Sequence, residues 1–390
     1  SLSFYGSNFY GGFGGPVTAI DIGGSNSFPS YGGLPYGGQP HGLHGDTVIS
    51  YATYTLSANV ENLILVGLVG GAINGTGNAS ANNMYGSTGN NTLTGLAGND
   101  VMYGGYGKDK LLGGDNNDFL SGDNNNDTLD GGNGDDFLNG NGGGATDNDS
   151  LTGGAGNDTL DSRFDGFTDT MVGGAGNDTY KVDGQDVVTE AAGGGIDSVG
   201  IFFDNDFKYT LSANVENATI YGGSLSSLTG NASDNILRGD GNAQQLFGLG
   251  GNDVLDGGAG GDVMYGGDGS DSYLVDNPFD QVFETNAAAA GGIDTVYSDF
   301  NYTLGANVEN LTLTQYGGVA HGTVIGIGNA LNNVITGNDN NNILSGGAGN
   351  DTYIINNTND YVQEIAESGA GGTKDKIVLT TDFNGTSSGN

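Results

Sequence analysis

The chain has 390 residues, 46 of them acidic and 8 basic, for a formal charge of −38. That charge excludes nucleic acid and anionic membrane as partners, because both carry the same sign. Cysteine is absent, which removes disulfide and thiol chemistry, and no apolar run reaches the ~18 residues of a membrane span. The 79 glycines do not recur every third residue, so collagen is excluded as well. So much charge usually means disorder, but 35% of the residues are hydrophobic and they recur in phase. An acidic chain without cysteine needs cations to hold it together, and bound metal is the usual substitute for disulfides.

Residues 1–44 are rich in glycine and aromatics, as in Phe9-Tyr10-Gly11-Gly12-Phe13, and have no repeat phase. They read either as a linker or as an arm that docks aromatic side chains on a neighbour. His41 and His44 lie in this Gly/Pro-rich stretch, which is poor at holding ligand geometry.

Three modules follow, over residues 45–196, 197–293 and 294–374. Each opens on Asp-Ser/Thr-Val: Asp46-Thr47-Val48, Asp197-Ser198-Val199 and Asp294-Thr295-Val296. Each then carries a tyrosine motif, Tyr54-Thr-Leu-Ser-Ala-Asn-Val-Glu-Asn62 in the first, with copies from Tyr209 to Asn217 and from Tyr302 to Asn310. The glutamates Glu61, Glu216 and Glu309 in that motif read as solvated or asparagine-paired carboxylates, with capping or metal ligation as alternatives.

Behind each tyrosine motif lies an array of nonapeptides. The clearest run restarts every nine residues, at Gly86, Gly95, Gly104, Gly113, Gly122, Gly131 and Gly140. A good copy reads Gly104-Gly105-Tyr106-Gly107-Lys108-Asp109-Lys110-Leu111-Leu112, or G-G-x-G-x-D-x-U-x with U a large apolar residue. Such a unit divides into a turn of about six residues and a strand of about three. Glycine gives the turn its freedom, aspartate at position six supplies a hard anionic oxygen, and the apolar residue at position eight points inward. The position-six aspartates are Asp100, Asp109, Asp118, Asp127, Asp136, Asp158, Asp178, Asp253, Asp262, Asp271 and Asp351. Their inward partners include Met102, Leu111, Leu120, Leu129, Leu138, Leu160, Leu255 and Met264. A metal-free glycine/asparagine solenoid is the alternative, but a row of unpaired aspartates without cations carries a heavy electrostatic cost.

Position six is Asn91, Asn235, Asn333 and Asn342 in four rungs and Gln244 in another, and these lack the anionic oxygen. Each array closes on a tyrosine at the apolar position, Tyr180, Tyr273 or Tyr353, and leads into an acidic stretch holding Glu190, Glu284 or Glu364. Residues 375–390 read as the incomplete opening of a fourth module. The start at Ser1 and the unfinished end make the chain either a processed product or a fragment, or one whose last module a second subunit completes.

The nonapeptide pattern is that of parallel β-helix repeats binding Ca²⁺, and on these residues the chain resembles the RTX (haemolysin-type calcium-binding) family. The resemblance implies an all-β fold of calcium-bound parallel β-rolls or β-solenoids in tandem, with two nonapeptides per turn and ions between successive turns. It further implies type I secretion, an extracellular or cell-surface location, and folding on meeting external calcium. Within the family, the RTX-containing S-layer and oscillin-like fibril proteins offer the nearest functional parallel. That parallel makes the chain a structural subunit joining copies of itself head to tail, with a cell-surface polysaccharide as a further candidate partner. A C-terminal secretion module of a larger enzyme or toxin, and an adhesin stalk, are the alternatives. No enzymatic role is expected: H-E-x-x-H is absent, His321 is alone, and Gly385-Thr386-Ser387-Ser388-Gly389 lacks the helix that a nucleophile elbow needs.

Overall fold

The computed structural model describes residues 19–21, 45–67, 71–140, 142, 147–163, 166–202, 207–222, 225–285, 291–315, 322–363 and 374–380. Among them every regular element is a β-strand. The chain divides into two compact units, Ser1–Val199 and Gly200–Asn390.

In the first unit successive strands alternate between two parallel sheets. Val101–Tyr106 pairs in parallel with Phe119–Asn124, Val101 opposite Phe119 and Met102 opposite Leu120. The intervening Lys110–Asp115 pairs instead with Thr128–Asn133 on the other sheet. Partners are therefore two nonapeptides apart, and two nonapeptides make one turn, as the resemblance implies. Leu93, Met102, Leu111, Leu120, Leu129, Leu138, Leu151, Leu160 and Met171 are completely buried between the sheets. Each side chain so buried contributes about 1.5–3 kcal/mol, so the core grows by one rung per repeat. The outward face of the same strands carries aromatic cross-strand pairs. Tyr85 stacks on Tyr103 at 5.3 Å and Phe119 on Phe137 at 5.4 Å between ring centres. Ala19–Asp21, from the segment without repeat phase, lies antiparallel on Thr47–Ser50.

The strands are longer than the sequence suggests. Thr92–Ala97 spans six residues, leaving three for the turn before Val101–Tyr106. Pairing continues through the glycine positions because neighbouring turns approach with no side chain between them: Leu96 lies opposite Gly114 and Ala97 opposite Asp115. Position two of the repeat needs a positive φ, as at Gly114 with φ +120°. Leu96 and Leu249 occupy that position with φ of 88° and 82°. Both are about half exposed, so little burial would be lost on replacement. The left-handed region costs a leucine about 1–2 kcal/mol, against about 0.5–1 kcal/mol for the extra freedom that glycine loses on folding. Leu96→Gly and Leu249→Gly are therefore each expected to stabilise the chain by ~0.5–1 kcal/mol, read as a higher urea midpoint in calcium buffer.

The second unit repeats this architecture. Leu237, Leu255 and Tyr273 face Leu228, Leu246 and Met264, all with zero exposure. At Asp294, where the sequence opens a new module, the sheet does not break. Thr295–Ser298 pairs in parallel with Ser272–Val275 on one side and with Asn310–Leu313 on the other. What changes there is the turn chemistry. In each tyrosine motif one asparagine, Asn59, Asn214 or Asn307, takes a φ near +64°, a conformation that asparagine adopts more readily than other side-chain-bearing residues. Leu56, Leu211 and Leu304 of the same motif are each 4% exposed.

Candidate metal centre

The nonapeptide aspartates form two ladders in the first unit. Oδ1 of each accepts the backbone N–H of the aspartate one turn earlier. Asp100 donates to Asp118, Asp118 to Asp136, Asp136 to Asp158 and Asp158 to Asp178, at 2.7 to 2.8 Å. Asp109 donates to Asp127 at 2.7 Å in the second ladder, which continues through Asp149, Asp169 and Asp186. In the second unit Asp253 donates to Asp271 at 2.7 Å, and Asp271 to Asp294 at 2.8 Å. Asp262 donates to Asp280, and Asp351 to Asp375, each at 2.9 Å.

The other carboxylate oxygen is what makes this a candidate metal site. In Asp100, Asp109, Asp118, Asp127, Asp136, Asp158, Asp178, Asp253, Asp262 and Asp271, Oδ2 is buried with no hydrogen-bond partner. Every one of these residues is at most 4% exposed. The ion pairs among the described residues join Asp161 to Arg163 and Lys181, and Asp256 to Arg238, so none reaches these ten aspartates. Burial of unneutralised carboxylates is the first cause of their raised pKa. It pushes Asp100, Asp109, Asp253 and Asp262 to about 7 and Asp158 and Asp178 to about 6. Asp127, with Asp109, Asp149 and Asp147 adding repulsion to its burial, rises to about 10.

At Asp100, Asp109, Asp118, Asp136, Asp158 and Asp253 the orphan oxygen converges with a carbonyl from the following turn. A β-carbon on Gly95 would collide with Asp100 Oδ2 and stand 2.7 Å from the Gly113 carbonyl oxygen. One on Gly153 would collide with Asp158 Oδ2 and stand 2.7 Å from the Gly173 oxygen, and Gly248, Asp253 and Gly266 repeat the arrangement. Glycine at position one is therefore required by close approach. It leaves a cradle of hard carboxylate and carbonyl oxygens contributed by two consecutive turns, which is the donor set Ca²⁺ takes. These residues fit the ion.

The asparagine rungs are built differently. Asn235 Oδ1 accepts the Asn231 N–H at 2.8 Å while its Nδ2 donates to the Val215 and Glu216 carbonyls at 3.1 and 3.2 Å. Asn333 repeats this on Asn329, Val308 and Glu309. The amide supplies N–H donors to the previous turn's carbonyls, hydrogen bonds that an aspartate carboxylate cannot make. Two of the motif glutamates prove to be ladder members: Glu61 Oε2 accepts the Asp46 N–H at 2.8 Å, and Glu309 Oε2 that of Asp294 at 2.9 Å. They cap backbone donors, one of the alternatives left open by the sequence.

Sequence reading missed Asp149, Asp169, Asp186, Asp280, Asp360 and, as ladder members, Asp197, Asp294 and Asp375. The available signal was D-x-U without the upstream glycines, as in Asp149-Ser150-Leu151 and Asp169-Thr170-Met171. His41, His44, His321 and Glu364 lie outside the described residues.

The fold and these sites define a calcium-binding parallel β-roll. The RTX calcium-binding nonapeptide repeat matches the chain at residues 76–111, 112–146, 144–164, 165–180, 239–273 and 327–362. The chain therefore carries RTX calcium-binding repeats, and proteins with such repeats are typically secreted. No curated protein matches it. Among the described residues no helix is long and apolar enough to cross a membrane.

Proposed function

We propose that the position-six aspartates are the calcium ligands of a secreted structural protein, one that folds on meeting external calcium and assembles with copies of itself into a surface layer or filament. The observation that carries the calcium assignment is the run of buried, partnerless Oδ2 atoms facing glycine carbonyls of the next turn. Low free calcium inside the cell keeps such a chain extended for export, and roughly millimolar calcium outside fills weak extracellular-type sites.

Head-to-tail assembly is supported by two strands. Ala19–Asp21 gives the N-terminal segment a strand able to cover a roll's edge. Lys376–Leu379 extends a sheet from Thr352–Ile355 with Ile377 and Leu379 more than half exposed. Exposed strand edges template further pairing, and a heterologous contact of that kind propagates into a fibre. Negative-stain electron microscopy in millimolar CaCl₂ and in EGTA tests this. Filaments or sheets that dissolve in EGTA are expected, and deleting residues 1–44 or 375–390 should abolish them while calcium-dependent folding persists. Isolated short rods at every concentration would contradict assembly.

A further inference from the structure

The last nonapeptide of an array differs from those before it. In the first unit Asp178 is joined by Glu190 and Asp197, and in the second Asp271 by Glu284 and Asp294. In each trio the three carboxylates offer oxygens within 4.8 Å of one another, and all six residues are at most 7% exposed. A rung inside an array brings one carboxylate and carbonyl oxygens together. Here three chain segments each bring a carboxylate: the nonapeptide, the acidic stretch behind it, and the Asp-Ser/Thr-Val element that follows.

Three further observations separate these clusters from chance acidity. Asp178 Oδ2, Asp271 Oδ2 and Glu284 Oε2 are buried without a hydrogen-bond partner. The tyrosine that replaces leucine at the apolar position reaches the glutamate: the Tyr180 hydroxyl donates to Glu190 Oε1, and that of Tyr273 to Glu284 Oε1. This fixes the glutamate's orientation and gives the array-ending tyrosines a purpose that core packing alone does not. Lastly, the chain spacings differ. Glu190 lies 12 residues after Asp178 and 7 before Asp197, whereas Glu284 lies 13 after Asp271 and 10 before Asp294. Two connectors of unequal length converge on one arrangement, so the arrangement does not follow from the repeat period.

We propose that each of these trios is a distinct array-terminal calcium site, tighter than the nonapeptide sites, which clamps the connector onto the last turn of the array. The donors are all oxygen, with no nitrogen or sulfur ligand in either cluster, which selects a hard cation. Affinity in such sites rises with the number of ligand charges, and three carboxylates exceed the single one of an ordinary rung. The Asp178 and Asp271 N–H groups donate to Asp197 and Asp294 at 2.8 Å, so the trio also continues the ladder into the next element.

This inference rests on the calcium reading of the arrays, and the experiment separates the two. The full chain is titrated with calcium against a chromophoric chelator at pH 7.5, beside the double variant Glu190→Gln/Glu284→Gln. The unaltered chain is expected to show a tight class of sites above a larger weak class. In the double variant the tight class should weaken by roughly ten-fold or more, with the weak class and the far-UV circular dichroism at saturating calcium unchanged. If the double variant does not fold, Asp197→Asn/Asp294→Asn replaces it, since asparagine keeps the Oδ1 acceptor while removing the charge. A single uniform class in the unaltered chain, or a tight class unmoved in a folded variant, would overturn the array-terminal sites and leave the nonapeptide assignment standing. Absence of any calcium binding by the unaltered chain would overturn both.

Discussion

Chelating calcium at pH 7.5 is expected to unfold the chain, and lowering the pH of the same EGTA solution to about 5 is expected to restore part of its β-structure. The sign follows from the ladders. Asp100, Asp109, Asp253 and Asp262 are raised to about 7 in the fold, chiefly by burial, whereas an aspartate in an unfolded chain titrates near ~3.9. Between those values the folded chain binds more protons than the unfolded one. The contribution to stability is therefore fully present below about pH 4 and is lost as pH rises through about 7. At neutral pH the calcium-free fold must bury charged carboxylates with no cation beside them, and calcium supplies that cation. For the same reason calcium affinity should fall as pH drops through 7, because protons compete for the same oxygens. Urea midpoints measured in EGTA at pH 5 and 7.5, and in calcium at pH 7.5, check this. Equal calcium-free stability at the two pH values would contradict it.

The second large effect is steric. Gly113→Ala places a β-carbon against Asp118 Oδ2 and 2.5 Å from the Gly131 carbonyl oxygen. Neither atom can retreat: the carboxylate is anchored at Oδ1 by the Asp100 N–H, and the carbonyl belongs to the next turn of the roll. Overpacking of this kind costs about 1–3 kcal/mol, and the substitution also fills the space that the ion needs. Gly113→Ala should lower both the urea midpoint and the calcium bound per chain. Gly241, with nothing within 4 Å of a β-carbon and an ordinary φ, is the control, and Gly241→Ala should stay within about 0.5 kcal/mol. Equal losses in the two variants would mean that position one is glycine for some reason other than the cradle.

Much of this was legible in the sequence because the repeat writes its geometry at fixed positions. Position eight marked the buried residues, from Met102 to Met264, and position six marked the aspartates of the ladders. The limits of that reading follow from the template. Asp149 and Asp169 escaped it because insertions before them remove the glycines, while the ladder needs only a carboxylate two residues before an inward side chain. Asn235 and Asn333 registered only as missing charges. Their positive role lies in the amide N–H groups, which reach carbonyls about 20 or more residues back in the chain. Glu61 and Glu309 were ambiguous because capping depends on which backbone N–H the preceding turn presents. The trios at Asp178 and Asp271 could not be read at all, since unequal connectors bring their members together.

The measurement closest to the central claim is calcium anomalous diffraction from crystals grown in millimolar CaCl₂. The account predicts anomalous peaks beside Oδ2 of Asp100, Asp109, Asp118, Asp136, Asp158 and Asp253, each within coordinating distance of a glycine carbonyl from the following turn, with no peak at the Asn235 and Asn333 rungs. An ordered roll whose aspartate turns hold only water, or whose peaks fall equally at asparagine and aspartate rungs, would contradict it.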